Sequence, residues 1–188
     1  MNADATAILQ FWFGSSDAPR PEWFRKDAAF DHEIAERFGA LVQQALRGGL
    51  ADWADEPSAA LARILLLDQF TRNAFRDTPR AFAGDALALA AARALVARGH
   101  DQALAPLRRV FAYLPFEHAE ERAAQEQSLA LFAALRDADA ALADYEDYAR
   151  RHAVVIERFG RFPHRNAVLG RASSDEELAF LEQPGSRF

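Results

Sequence analysis

The residues best suited to chemistry fall in three short segments, none containing cysteine, which is absent from the chain and removes thiol catalysis, thiolate ligation and disulfides. The first is Asp68-Gln69-Phe70-Thr71-Arg72-Asn73. Asp68 and Arg72 are four apart, so on a helix they share a face and can pair. The apolar run Ile64-Leu65-Leu66-Leu67 before them predicts that the pair is partly buried, where taking charges out of water costs several kcal/mol per ion before pairing offsets it. Two roles are open: a salt bridge that fixes a helix, or an Asp68 that orients a second residue or a ligand.

The second segment is Leu114-Pro115-Phe116-Glu117-His118-Ala119-Glu120-Glu121. A proline pushes the preceding residue away from helical angles, so Pro115 predicts a break and a new helix starting beyond it. The positive end of that helix would favour Glu117, Glu120 and Glu121 and disfavour protonation of His118. A neutral imidazole at a cleft is a candidate general base, with Glu120 as a second candidate. The alternative is a helix cap carrying a surface histidine.

The third segment, Arg158-Phe159-Gly160-Arg161-Phe162-Pro163-His164-Arg165-Asn166, continues to Gly170-Arg171. Residues 150–171 hold six Arg and the single acid Glu157, a local charge of +5 within a chain of net charge −6. Gly160 and Gly170 bracket a short helix that Pro163 would start. Arg161, His164, Arg165 and Asn166 would then offer side-chain and backbone donors to one anion. The alternative is that these arginines neutralise acids of the same chain. Lys26 is the only lysine, so the available donors are forked guanidinium groups suited to carboxylate or phosphate.

Other chemistries find no support. There is no phosphate-binding loop and no Gly-x-Gly-x-x-Gly run. Ser15-Ser16 and Ser173-Ser174 lack a nucleophile-elbow context. A di-iron bundle needs paired Glu-x-x-His motifs, which do not occur, and His118 with Glu121 has the reverse order. The five histidines, at 32, 100, 118, 152 and 164, have no ligand spacing, so neither metal nor cofactor is expected. Net acidity argues against nucleic acid as a partner. No apolar run approaches a membrane span and the first residues do not resemble a signal peptide, so the expectation is a soluble cytoplasmic protein without membrane contact.

These segments need a scaffold, and its pattern is helical throughout. Phe30, Ile34, Phe38, Leu41, Val42, Ala45 and Leu46 form one stripe of a helix that Gly48-Gly49 stops. Residues 61–70, following Pro57, are apolar on nearly every side and predict a central helix surrounded by others. Gly84-Asp85 opens an alanine-rich helix ending at Gly99, and Pro106 begins the next. Residues 117–135 and 140–159 predict an antiparallel pair, and Ser173-Ser174-Asp175-Glu176-Glu177 a capping box before a last short helix. Phe11, Trp12, Phe13, Trp23 and Phe24 read as core staples. No run alternates long enough for a strand. The expected architecture is all-α, a single domain over residues 1–188 of stacked antiparallel helix hairpins.

Four motifs in order, Leu66-Leu-Asp-Gln-Phe-Thr-Arg-Asn73, Tyr113-Leu-Pro-Phe-Glu-His-Ala-Glu120, residues 158–166 and the tail Phe180-Leu-Glu-Gln-Pro-Gly-Ser-Arg-Phe188, resemble the bacterial family called domain of unknown function 924. Ile8-Leu-Gln-Phe-Trp-Phe-Gly14 fits as well, so the resemblance spans essentially the whole chain. Thr71 stands where the family often has Pro, and Ala119 where it often has Ser. The resemblance implies a tetratricopeptide-like helical superhelix and places the polar motifs in one site, without supplying an activity. On this reading Asp68, Gln69, Arg72 and Asn73 join His118 and Glu120, and Arg161, His164, Arg165 and Asn166, around one polar pocket. Three functions fit: a binding module for a small anionic molecule or peptide carboxylate; a hydrolase- or lyase-like enzyme with His118 or Glu120 as base; and a protein–protein adaptor whose polar network is structural.

Overall fold

The computed structural model describes residues 2–16 and 18–186, so Arg187 and Phe188 of the tail motif lie outside the described residues. Regular structure among these is helical: α1 (Ala3–Phe13), α2 (Ala28–Leu46), α3 (Pro57–Leu65), α4 (Thr71–Ala74), α5 (Asp85–Ala97), α6 (Pro106–His118), α7 (Arg122–Ala138), α8 (Ala143–Phe159) and α9 (Asp175–Leu181), joined by short 3₁₀ turns. None of these helices is long and apolar enough to cross a membrane.

Local chemistry sets the starts and stops. Asn2, Asp27 and Glu56 each accept two backbone N–H groups at the first turns of α1, α2 and α3, satisfying donors that have no partner within the helix. On α2 the buried residues are Phe30, Ile34, Phe38, Val42 and Ala45, the predicted stripe. The Ser174–Glu177 capping box forms and starts α9. The central position falls to α3, whose Ala59, Ala60, Leu61, Ala62, Ile64 and Leu65 are all buried, and which packs against α1, α5 and α6. Around it Trp12, Phe13, Trp23 and Phe111 form an edge-to-face aromatic cluster, with Trp23 donating its indole N–H to the Trp12 carbonyl at 2.9 Å. Phe24 departs from the expected core role: it is 60% exposed and lies parallel to the Phe111 ring from outside.

Three local departures from the sequence reading matter for the site. The central helix is not uniform. After Leu65 it passes through a π-helical turn, Leu66–Phe70, and resumes α geometry in α4. The loosened carbonyls find side-chain donors: Thr71 Oγ1 donates to Leu67 O at 2.8 Å, and Arg72 donates to Asp68 O at 2.7 Å.

The break expected at Pro115 does not occur there. Helix α6 runs through Pro115 and ends at His118, with Ala119 in extended geometry. The carbonyls freed at this end are taken up by Gln125, whose side-chain amide donates toward Phe116 O, Glu117 O and Ala119 O. Glu117 and His118 therefore sit at the C-terminal end of a helix, not in a first turn, and α7 starts only at Arg122.

Lastly, Pro163 opens only a single 3₁₀ turn, Pro163–Arg165, in which the Arg165 and Asn166 N–H groups donate to Phe162 O and Pro163 O. The helix N-terminus expected to receive an anion is therefore not formed. Gly160 does end α8, in the left-handed conformation at φ 70° that favours glycine.

Candidate functional site

A chain of charged groups links five elements. Asp68, on the π turn and fully buried, receives His118 Nδ1 at 2.8 Å, Gln69 Nε2 at 2.6 Å and Arg72 Nη1 at 3.1 Å. Arg72 also grips Asp85, the first residue of α5, through both terminal nitrogens at 2.9 and 3.1 Å. Asp85 in turn receives Arg165 at 3.3 Å. Burial alone would raise the Asp68 pKa, but the charges of Arg72 and His118 and the hydrogen bonds from His118 and Gln69 outweigh it and hold the carboxyl well below its ordinary range.

His118 is thereby fixed. A carboxylate can only accept, so the proton of the neutral ring sits on Nδ1 and the lone pair on Nε2. Its pKa is lowered, chiefly by burial, with Arg72 and Arg165 adding to the effect and Asp68 opposing it. The predicted neutral state is thus retained, but desolvation takes the place of the helix field, which at a C-terminal end has the opposite sign.

Arg165 is almost fully buried, its guanidinium lying 4.8 Å from the Phe82 ring centre and 4.4 Å from that of Phe162. Its Nε has no hydrogen-bond partner. Burial, then Arg72, pull its pKa down to about 10 against the opposing charges of Asp85, Glu120 and Asp68. Arg165 and His118 share the wall of a cleft of about 510 Å³ with Phe82, Asp85, Glu120 and Leu169.

Behind His118 lies a second set of groups that sequence spacing did not bring together. His152 of α8 directs Nδ1 at Tyr148 O, 2.9 Å away, with Glu117 Oε1 at 3.1 Å. The rings of His118 and His152 are 6.1 Å apart. Glu117, His118 and His152 each offer one ligand-type atom, all within 4.8 Å of one another. Burial, with Asp68 adding to it, pushes the Glu117 carboxyl up to about 8, and its Oε2 has no partner. His152 is pulled down to about 3 by burial and then by His118; His164 reaches about 3 by burial and then by Arg165. Both shifts bring His164 and His152 into the same electrostatic unit as His118.

Other predicted site residues are engaged elsewhere. Asn73 donates to Asp31, which Arg76 also clamps through two nitrogens. Arg161 is held bidentate by Glu177 of the capping box. Asn166 bonds Ser173 and Arg171. Glu120 borders the cleft, yet its carboxylate accepts two bonds from Arg171, at 2.6 and 2.9 Å, and the Phe162 N–H at 2.7 Å. Burial opposes the lowering, but these donors keep Glu120 ionised and weakly basic. Arg171, Asp85, Glu117 and His152 were named from sequence without being assigned to the site. Asp85 carried a signal, since it follows Gly84 at a helix start, and His152 lay inside the +5 segment; nothing local marked them as neighbours.

A family model described as "Bacterial protein of unknown function (DUF924)" matches residues 8–185. A solved structure of a protein of unknown function from Agrobacterium tumefaciens is 43% identical, with a TM-score of 0.87 over 96% of this chain and 97% of that one. No curated protein shows significant similarity.

Proposed function

The chain belongs to this bacterial family of unknown function, and from its cleft we propose that it binds a small anionic molecule, a carboxylate or phosphate, at Arg165. The observation that carries this reading is the state of Arg165: a buried guanidinium in a cleft wall, with one carboxylate contact at 3.3 Å and a bare Nε. A buried cation so thinly compensated favours a further anion over water. Phe82 and Leu169 supply apolar walls for a ligand's carbon skeleton. A free peptide carboxylate would meet the same groups. The reading includes a tetratricopeptide-like stacking of the hairpins and a cytoplasmic setting, with neither nucleic acid nor membrane as partner.

A thermal-shift titration tests it with inorganic phosphate, succinate and its neutral diamide. Binding to the folded state alone stabilises by about 2.7 kcal/mol at a hundredfold excess over Kd. A saturable rise with an anion, absent with the diamide and lost in Arg165→Met, is the expected result. A flat response of the wild type to a broad panel of anions sinks the reading.

One observation favours a catalytic variant. Asp68 fixes the His118 tautomer, which leaves Nε2 as the proton-accepting atom of a residue that borders the cleft together with Arg165. Glu120 lacks this poise because Arg171 holds it ionised. Turnover of an anionic ester or other activated substrate that disappears in His118→Gln, with binding retained, would separate an enzyme from a binding module.

A further inference from the structure

We propose that the anion held at Arg165 is a monocarboxylate with an apolar body, such as a linear alkanoic acid, and that Glu121 at the far end of the cleft selects against a second carboxylate. The inference rests on the Arg165 anion site proposed above and narrows its ligand class.

Among the described residues, one guanidinium, Arg165, and three carboxylates, Asp85, Glu120 and Glu121, border the cleft. Each of the three acids is paired with an arginine that does not border it. Arg72 grips Asp85 through two nitrogens, Arg171 grips Glu120 through two, and Arg93 reaches Glu121 at 2.8 Å. Arg165 shares Asp85 with Arg72 at the longer distance of 3.3 Å, and its Nε is bare. The wall therefore has a cation for one anionic group and none for another. A second carboxylate on the same ligand would give up its water and meet acceptors only, which is costly. Building such a mismatch against a competitor is one of the two routes to specificity.

The rest of the wall is apolar and runs along one helix. Pro79, Phe82, Ala83, Ala86, Leu89 and Leu169 border the same space. Asp85 and Leu89 are four apart on α5 and share a face, so the wall passes from the carboxylate beside Arg165 to a leucine in one turn, ~6 Å along the axis. Arg93 lies a further turn along that face, and its ion pair places Glu121 at the remote end. Phe82 joins the two regions, since its ring centre is 4.8 Å from the Arg165 guanidinium and its side chain borders the cleft. Leu169 stands one turn beyond Arg165, its N–H donating to Arg165 O at 2.9 Å.

This layout gives the ligand a direction. Its carboxylate meets Arg165, its carbon body lies along Ala86 and Leu89, and it ends short of Glu121. The volume agrees: about 510 Å³ falls within the ~300–1,000 Å³ of sites that enclose whole organic ligands, and a phosphate ion would leave most of it to water. Glu121 then touches a ligand only when that ligand ends in a charge.

The test is isothermal titration of the full chain with acetate, butanoate, hexanoate and octanoate, and with adipate, inorganic phosphate and hexanamide. Affinity should rise along the alkanoate series by up to about fourfold per methylene, the equivalent of ~0.8 kcal/mol for a buried CH₂. The heat-capacity change of binding should grow more negative with it, the mark of apolar burial. Hexanoate should bind about tenfold or more tighter than adipate, phosphate or hexanamide, each of which lacks a partner for one end or the contact to Arg165. Glu121→Gln changes an exposed side chain and releases Arg93, so it should narrow the hexanoate-to-adipate ratio several-fold. Circular dichroism establishes that the variant is folded. Affinity that is flat with chain length, adipate or phosphate as tight as hexanoate, or a ratio unmoved in Glu121→Gln overturns this inference and leaves the anion site standing. Hexanamide as tight as hexanoate, or no response to any anion, removes the Arg165 site itself and this narrowing with it.

Discussion

The Asp68 carboxylate and the His118 imidazole, fifty residues apart in sequence, meet at 2.8 Å and join the π turn in the middle of the molecule to the end of α6. Asp68 is also the partner of Arg72, so one buried charge organises two elements. Asp68→Asn keeps the volume and removes the charge. Breaking a buried pair typically costs 3–5 kcal/mol, and because Arg72 keeps Asp85, a loss near the lower end, about 3 kcal/mol, is expected. Urea unfolding should show a lower midpoint at unchanged slope. A loss below ~1 kcal/mol would mean that the Asp68 charge contributes little to stability and serves only the site.

The fold was largely written in local pattern. The stripe on α2, the all-apolar α3 and the capping box at Ser174 involve residues within a turn or two of one another, and their physics can be read without knowing the partner. The errors came where tertiary groups override local preference. α6 runs on through Pro115 to His118, and Gln125, ten residues after the proline, takes up the carbonyls at that later end. The π turn at Asp68 is held by side chains and by buried neighbours on all sides, and no local residue type announces it.

The site was legible in its inventory but not in its wiring. Asp68, Arg72, His118 and Arg165 form one connected network, as their complementary charges suggested. Asn73, Arg161 and Asn166 carry equally polar side chains in the same motifs, yet they point to Asp31, Glu177 and Ser173. Side chains a few residues apart face different directions once the backbone turns, and only the fold decides which. Conversely, Glu117 and His152 are thirty-five positions apart in the sequence and meet because α6 and α8 pack together.

Acid should weaken the attachment of α9 through Glu177. Arg161, with the Ser174 N–H, holds this carboxyl down to about 2, although burial opposes the shift. Its folded pKa lies below the ~4.3 of an unfolded glutamate, so its contribution is complete above ~4.3 and is lost as pH falls toward 2. The stability gap between wild type and Glu177→Gln should be full at neutral pH and close across that window. A gap that is constant with pH would show that the ion pair, unlike the cap geometry, contributes nothing.

Arg171 is expected to fasten the C-terminal segment. It clamps Glu120 through two nitrogens, donates to Phe162 O at 3.1 Å and bonds the Asn166 side chain at 3.0 Å. Arg171→Met keeps much of the stem and removes every donor. Hydrogen bonds to charged groups contribute ~1.5–3 kcal/mol, and a loss in that range is expected. The effect should be regional: amide exchange should rise in residues 160–186 and stay unchanged in α1 and α3, because local opening samples the less stable part first. Uniform acceleration across the molecule would contradict a local fastening.

The closest backbone approach in the site is made by Gly84, and it supports a pair of predictions of opposite sign. A Cβ at Gly84 would stand 2.0 Å from Leu67 O and 2.9 Å from Leu67 C, backbone atoms at the π turn that cannot swing aside. Gly84 has φ −91°, so conformation does not require glycine; the contact does. Its absence of a side chain lets α5 press its first residue, Asp85, against Arg72, and an added methyl would drive the two elements apart and lengthen the Arg72–Asp85 and Arg165–Asp85 contacts together. Overpacking costs typically 1–3 kcal/mol, and with backbone as the obstacle the loss for Gly84→Ala should be about 3 kcal/mol or more. Gly39, inside α2, meets nothing within 4 Å of an added Cβ, so Gly39→Ala should instead stabilise by about 0.5–1 kcal/mol through helix propensity and a less flexible unfolded chain. Thermal unfolding of the two variants side by side checks both. If Gly84→Ala melts with the wild type, the elements are not in contact there, and the geometry that sets Asp85 between two arginines loses its explanation.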